Sequence, residues 1–224
     1  MKNFPVELST KIKANKIIAT ITIDEIENAV ALADTLRSSG INTIEITLRT
    51  DCALDAVEKI RKGFTDMVVG AGTVIFKHQV RDVINAGAHF AVAPGTNTYV
   101  IEEAIKLGLP FAPGVATPSD IELAVNLDCC ILKYFPAEQS GGITYLDAIS
   151  QPYQHLGLQF IPLGGITPDN MVNYLNYPLI LAIGGSWIAG KNLINKKDWK
   201  NILLNGKSAI KAYERIGRGT AIDN

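Results

Sequence analysis

Eight short runs rich in apolar and β-branched residues recur along the chain, and the intervals between them constrain its fold more than any other feature. They span 17–23, 41–48, 67–73, 89–93, 110–115, 130–136, 159–164 and 179–184. The segments between them space apolar residues as helices do. Ile26, Val30, Ala33 and Leu36 form one such stripe, and Gly40 follows as a C-terminal stop. Strands that alternate with helices pair in parallel through right-handed crossovers, and eight such units close an α/β TIM (β/α)8 barrel. A doubly wound open sheet is the competing arrangement. The residues ahead of Ile17 read as an extra N-terminal helix capping the barrel bottom, and 198–213 read as the last helix. Gly217 and Gly219 read as frayed. No low-complexity linker interrupts the 224 residues, so 1–224 is expected to be a single (β/α)8 barrel domain.

Composition narrows the function classes. With 47% hydrophobic and 19% charged residues and a formal net charge of −1, the chain suits a soluble globular protein. Its lysines and arginines are dispersed, so the electrostatic footprint of a nucleic-acid binder is missing. No apolar stretch approaches membrane-spanning length, and no membrane partner is expected. Cys52, Cys129 and Cys130 suit neither a disulfide framework nor a CxxC clip, which fits a reducing cytoplasm. His78, His89 and His155 do not share metal-ligand spacing; neither a metal nor another cofactor is expected.

Two strands carry charge where a barrel would be dry. Strand periodicity puts Glu45, Thr47 and Arg49 on one face of 44–49 and Ile44, Ile46 and Leu48 on the other. If the apolar set packs against helices, the polar set points inward, and Glu45 and Arg49 need partners or ligands there. A structural ion pair is the plain explanation. In the second strand Lys133 stands alone among apolar neighbours. A stem snorkelling to water is its ordinary explanation. The sharper one is chemical: burial and a nearby cation both favour the neutral form of an amine, and a neutral amine is the nucleophile that carbonyl chemistry requires.

Glycine-rich turns follow several strands, including Gly70-Ala71-Gly72-Thr73, Pro94-Gly95-Thr96-Asn97 and Pro113-Gly114-Val115. The turns after the seventh and eighth runs, Gly164-Gly165 and Gly184-Gly185-Ser186, fall where TIM barrels commonly hold a phosphate on backbone amides. Tight turns needed only for closure are the alternative.

From about Ile17 to Trp187 the chain resembles the 2-keto-3-deoxy-6-phosphogluconate (KDPG) aldolase / 4-hydroxy-2-oxoglutarate aldolase family. The resemblance rests on Glu45-Ile46-Thr47-Leu48-Arg49-Thr50, Val69-Gly70-Ala71-Gly72-Thr73-Val74, Lys133-Tyr134-Phe135-Pro136-Ala137-Glu138 and Ile183-Gly184-Gly185-Ser186-Trp187. It implies a lyase in which Lys133 forms a Schiff base and Glu45 moves the protons. Arg49, Thr73 and Pro94 would border the pyruvyl portion of the substrate, and Phe135 would wall the site. Gly164, Gly165, Gly185 and Ser186 would hold the phosphate. It further implies a homotrimer and cleavage of a phosphorylated keto acid to pyruvate and D-glyceraldehyde 3-phosphate. One departure stands out: the family usually reads Pro-Thr-Gly-Gly where this chain has Pro162-Leu163-Gly164-Gly165. The galactonate epimer and 4-hydroxy-2-oxoglutarate therefore stay open as substrates. Rival readings are a phosphate-binding barrel enzyme without covalent catalysis and a phosphometabolite sensor.

Overall fold

The computed structural model describes residues 4–219, with side chains through 215. Its strands are β1 (Ile17–Ile21), β2 (Thr43–Thr47), β3 (Val68–Gly72), β4 (Phe90–Val92), β5 (Phe111–Ala112), β6 (Gly114–Val115), β7 (Ile131–Tyr134), β8 (Gln159–Pro162) and β9 (Ile183–Gly185). Helix α1 (Val6–Asn15) precedes β1. Then α2 (Asn28–Ser38), α3 (Ala53–Gly63), α4 (Lys77–Asn85), α5 (Thr98–Leu107), α6 (Pro118–Asn126), α7 (Gly142–Ser150) and α8 (Met171–Leu175) alternate with the strands. Helices α9 (Lys191–Asn195) and α10 (Trp199–Gly219) end the described chain.

Each sequence run yields a strand, and the run 110–115 yields two. Pro113 has no N–H to give a ladder and separates β5 from β6. The strands form a six-stranded sheet in the order β5-β4-β3-β2-β1-β9 and a three-stranded sheet in the order β6-β7-β8. All of these pairings are parallel, and a bridge between Phe160 and Ile180 leads from the second sheet toward β9.

Alternation along the strands divides the core in two. Ile17, Ala19 and Ile21 of β1 and Ile44 and Ile46 of β2 pack outward among the helices. Ile18, Val68, Phe90, Ile131 and Ile161 join a second cluster to which both sheets contribute, so the parallel sheet is curled around it. Helix α1 closes this cluster from one end. Its Ile12 and the preceding Phe4 are fully buried there, each worth about 1.5–3 kcal/mol of apolar burial. Phe4 and Phe90 meet at 6.3 Å between ring centroids.

The expected stripe on α2 holds at Ala33 and Leu36 and fails at Val30. The helix starts at Asn28, its buried apolar face is Ala29, Leu32, Ala33 and Leu36, and Val30 is exposed. Gly40 does stop it, at φ +93°, with its bare α-carbon against Ile210 of α10. The last helix runs through Gly217 and Gly219 rather than fraying before them; residues 220–224 lie outside those described.

Candidate active site

Helix α1 shuts one end of the curled sheet, and the chain leaves the strands' C-terminal ends at the other. There β2 and β7 bring Glu45 and Lys133 together, although 88 positions separate them in sequence. Glu45 is 1% and Lys133 5% exposed, with Lys133 Nζ 3.4 Å from Glu45 Oε1. Lys133 Nζ also lies 5.3 Å from the centroid of the Phe135 ring. Glu45 fits because Gly72, which pairs with Thr47 two residues further along β3 than Glu45's own partner Gly70, carries no side chain. A Cβ on Gly72 would lie 1.9 Å from Oε1. Removing two charges from water costs several kcal/mol per ion before their attraction offsets it, so such a pair is weak evidence for stability and better evidence for chemistry.

A cavity of about 370 Å³ opens above the pair. Arg49, Thr73, Pro94 and Phe135 line it, as do Gly164, Gly165 and Ser186. Gly185 does not: its α-carbon faces the Trp187 indole, and Gly184 takes the lining position. Arg49 departs from the strand alternation expected of it. Strand β2 ends at Thr47, the Arg49 N–H turns back to the Thr47 carbonyl at 2.8 Å, and the side chain sits exposed at the mouth. The buried partner of Glu45 is therefore Lys133 and not Arg49.

The rim is locally strained and cross-braced. Thr73 holds φ +61°, a left-handed conformation that β-branched residues adopt at a cost, directly on the cavity wall. Gly164 and Gly165 have φ +91° and +77°, and a side chain on Gly165 would strike Glu138. The loop after β7 is laced to this turn. Ala137 N–H donates to the Leu163 carbonyl at 2.7 Å, and Glu138 N–H donates to the Gly164 carbonyl at 3.1 Å. The Tyr174 hydroxyl donates to the Glu138 carboxylate; burial first, and then that bond, push its phenol pKa up, so the proton stays in place.

Two lining residues escaped the sequence reading of the site, Thr20 and Ile166, while Gly184 was read there as part of a phosphate turn. Leu163, noted there only as a departure, also lines the cavity and lies across Gly184, where a Cβ would be 2.3 Å from its Cγ. Thr20 sits in a run of isoleucine, alanine and threonine that reads as strand propensity. Its position beside Glu45 depends on pairing between β1 and β2.

A buried amine facing a carboxylate beneath a glycine-rimmed pocket, at the end of parallel strands, gives an α/β enzyme the nucleophile and the proton carrier that carbonyl chemistry requires. Comparison with known proteins agrees. A sequence model of the KDPG and KHG aldolase family matches residues 8–204. The 2-dehydro-3-deoxy-phosphogluconate aldolase of Haemophilus influenzae is 38% identical over 196 residues, 88% of this chain and 92% of that protein. The KDPG aldolase of Legionella pneumophila, solved with pyruvate captured at low pH as a covalent carbinolamine intermediate, superposes with a TM-score of 0.85 at 36% identity, covering 90% of this chain and 97% of its own. The 2-keto-3-deoxy-6-phosphogluconate aldolase of Zymomonas mobilis, solved with 3-phosphoglycerate, gives 0.82 at 34%, covering 92% and 96%. The chain belongs to the KDPG and KHG aldolase family.

Proposed function

We propose that this protein is a class I aldolase that cleaves 2-dehydro-3-deoxy-6-phosphogluconate to pyruvate and D-glyceraldehyde 3-phosphate through a Schiff base on Lys133. The observation that carries the reading is the buried Lys133–Glu45 pair at 3.4 Å on the floor of the cavity. The carbinolamine captured in the Legionella relative supports the same chemistry.

In the reaction the Lys133 amine adds to the C2 ketone, and loss of water leaves an iminium. Glu45 takes the proton of the C4 hydroxyl, directly or through a water, as the C3–C4 electron pair moves into the iminium. Glyceraldehyde 3-phosphate departs and an enamine remains. Glu45 returns a proton to the enamine carbon, and water releases pyruvate. Arg49, at the mouth, grips the substrate carboxylate with its planar donor fork, and Thr73 and Pro94 border the pyruvyl group. Phe135 walls the site. Gly164, Gly165 and the Gly184-Gly185-Ser186 turn hold the phosphate, so that binding energy at the far end assists the centre.

The wider reading includes closure of the two sheets into one (β/α)8 barrel and a single domain. The Phe160–Ile180 bridge and the residues shared across the inner core support it. A homotrimer is part of the proposal through family membership, and sedimentation at three times the 24.2 kDa chain mass would support it. A cytoplasmic setting fits three cysteines present as thiols. No helix among the described residues is long and apolar enough to cross a membrane.

A second substrate reading is favoured by one observation: Leu163 presents an apolar side chain on the cavity wall where the family usually has a hydroxyl. The test is pyruvate release, coupled to lactate dehydrogenase, from the gluconate and galactonate phosphates and from 4-hydroxy-2-oxoglutarate side by side. The proposed function requires the gluconate to be cleaved with the highest kcat/KM. A higher value for the galactonate would move the assignment to that epimer, and no pyruvate from any of the three would remove it.

A further inference from the structure

The concave face of β1 and β2 carries a row of hydroxyls, and all but one are paired within the protein. Thr43 Oγ1 accepts from Asn15 at 2.6 Å, while Thr22 and Thr47 share a hydrogen bond of 2.9 Å. Thr47 also donates to the Ile21 carbonyl at 3.0 Å. Between them Thr20 Oγ1 is buried and has no hydrogen-bond partner among the described residues. A buried hydroxyl left unpaired is unfavourable, and in native proteins such a group calls for an explanation.

Its placement supplies one. Thr20 lines the cavity. Across the ladder it pairs in register with Glu45 on one side, and on the other side of β1 the neighbouring Ile18 and Ala19 pair with Gly184 and Gly185 of β9. Thr20 therefore stands between the reactive lysine–carboxylate pair and the glycine–serine turn. Leu163, which covers Gly184, brings no polar atom to that stretch of wall. A substrate with its ketone at Lys133 and its phosphate at Ser186 passes the hydroxyl-bearing carbons of its aldehyde half along this wall.

We propose that Thr20 is a substrate-binding residue whose hydroxyl bonds the C5 hydroxyl of the sugar acid, the group that becomes the C2 hydroxyl of glyceraldehyde 3-phosphate. Thr20 thereby selects for hydroxylated aldehydes over deoxygenated ones. The inference rests on the aldolase reading above. A site built to pair with a substrate hydroxyl discriminates strongly against the analogue that lacks it, because its own polar group is then stranded.

The experiment runs the reaction in the addition direction with saturating pyruvate and two acceptors, D-glyceraldehyde 3-phosphate and 3-oxopropyl phosphate, which lacks the C2 hydroxyl. Thr20→Val keeps the side chain's shape and removes the hydroxyl. It should lower kcat/KM for the hydroxylated acceptor roughly tenfold, leave the deoxy acceptor within about twofold, and be reversed by Thr20→Ser. The wild-type protein should itself prefer the hydroxylated acceptor, a measurement that needs no variant. Equal effects on both acceptors, or no wild-type preference, would overturn the role of Thr20. Borohydride trapping of pyruvate is run alongside: an adduct on wild type and Thr20→Val without the change in selectivity sinks only this inference, whereas no adduct on wild type sinks the aldolase reading itself.

Discussion

Adding one methyl group to Gly72 should disable the site while leaving most of the fold intact. A Cβ built there lies 1.9 Å from Glu45 Oε1, 2.7 Å from Cδ and 2.8 Å from Cγ. Ordinary contact lies near 3.5 Å, so the carboxylate must retreat by roughly 1.5 Å. The methyl grows on the side chain's own side of β3, within a ladder that is buried throughout, and the strand has little room to yield. The Lys133–Glu45 contact, already 3.4 Å, is the freedom that remains. Misplacing a reacting group by about 1 Å costs on the order of 100-fold in rate, and overpacking costs about 1–3 kcal/mol in stability. For a 224-residue chain that stability loss lowers Tm by about 2–6 °C. Gly72→Ala should therefore melt within a few degrees of wild type and show kcat reduced about 100-fold in the coupled pyruvate assay. A kcat within threefold of wild type would mean that the carboxylate has no position it must keep, and the reasoning would fail.

Other consequences follow from burial. Lys133→Met strands a buried carboxylate and should cost about 3–5 kcal/mol, while Lys133→Met with Glu45→Gln should recover a large part of it in chemical denaturation; equal losses would show the pair to be solvated. His89 is held below its ordinary pKa, first by burial and then by the Arg61 charge, and its Nδ1 accepts from the Val69 N–H at 3.0 Å. Since the unfolded imidazole binds the proton more readily, stability present above about pH 6.5 should fall as pH drops from there through the folded pKa. His89→Gln should flatten that part of the pH–stability curve, and an unchanged curve would rule the effect out. Burial pushes the Cys129 thiol up to about 12, so in native protein at pH 8 it should resist a thiol reagent that labels it readily in denaturant.

What could be read from the sequence was set by period. Eight β-branched runs placed every strand because burial on both faces of a parallel sheet demands such runs. Lys133 stood out for the same reason, as a charge where nothing else was polar. The errors were local in origin. Val30 was assigned to a buried face because the stripe was counted from Ile26, ahead of the helix itself. Arg49 was placed on the inner face because alternation was continued past Thr47, where the strand ends. The break at Pro113 depends on a lost ladder bond that the apolar run conceals. Thr20 was invisible because its importance lies in register: it sits beside Glu45 and two residues beyond Ile18, the partner of Gly184, and in the one-dimensional pattern it is only another strand residue.

The central claim is covalent chemistry at Lys133. Incubation with pyruvate and borohydride, followed by proteolysis and mass spectrometry, tests it most directly. The account requires a reduced pyruvyl adduct on the peptide containing Lys133, absent in Lys133→Met. Active protein that carries no adduct there, or carries it on another lysine, would contradict it.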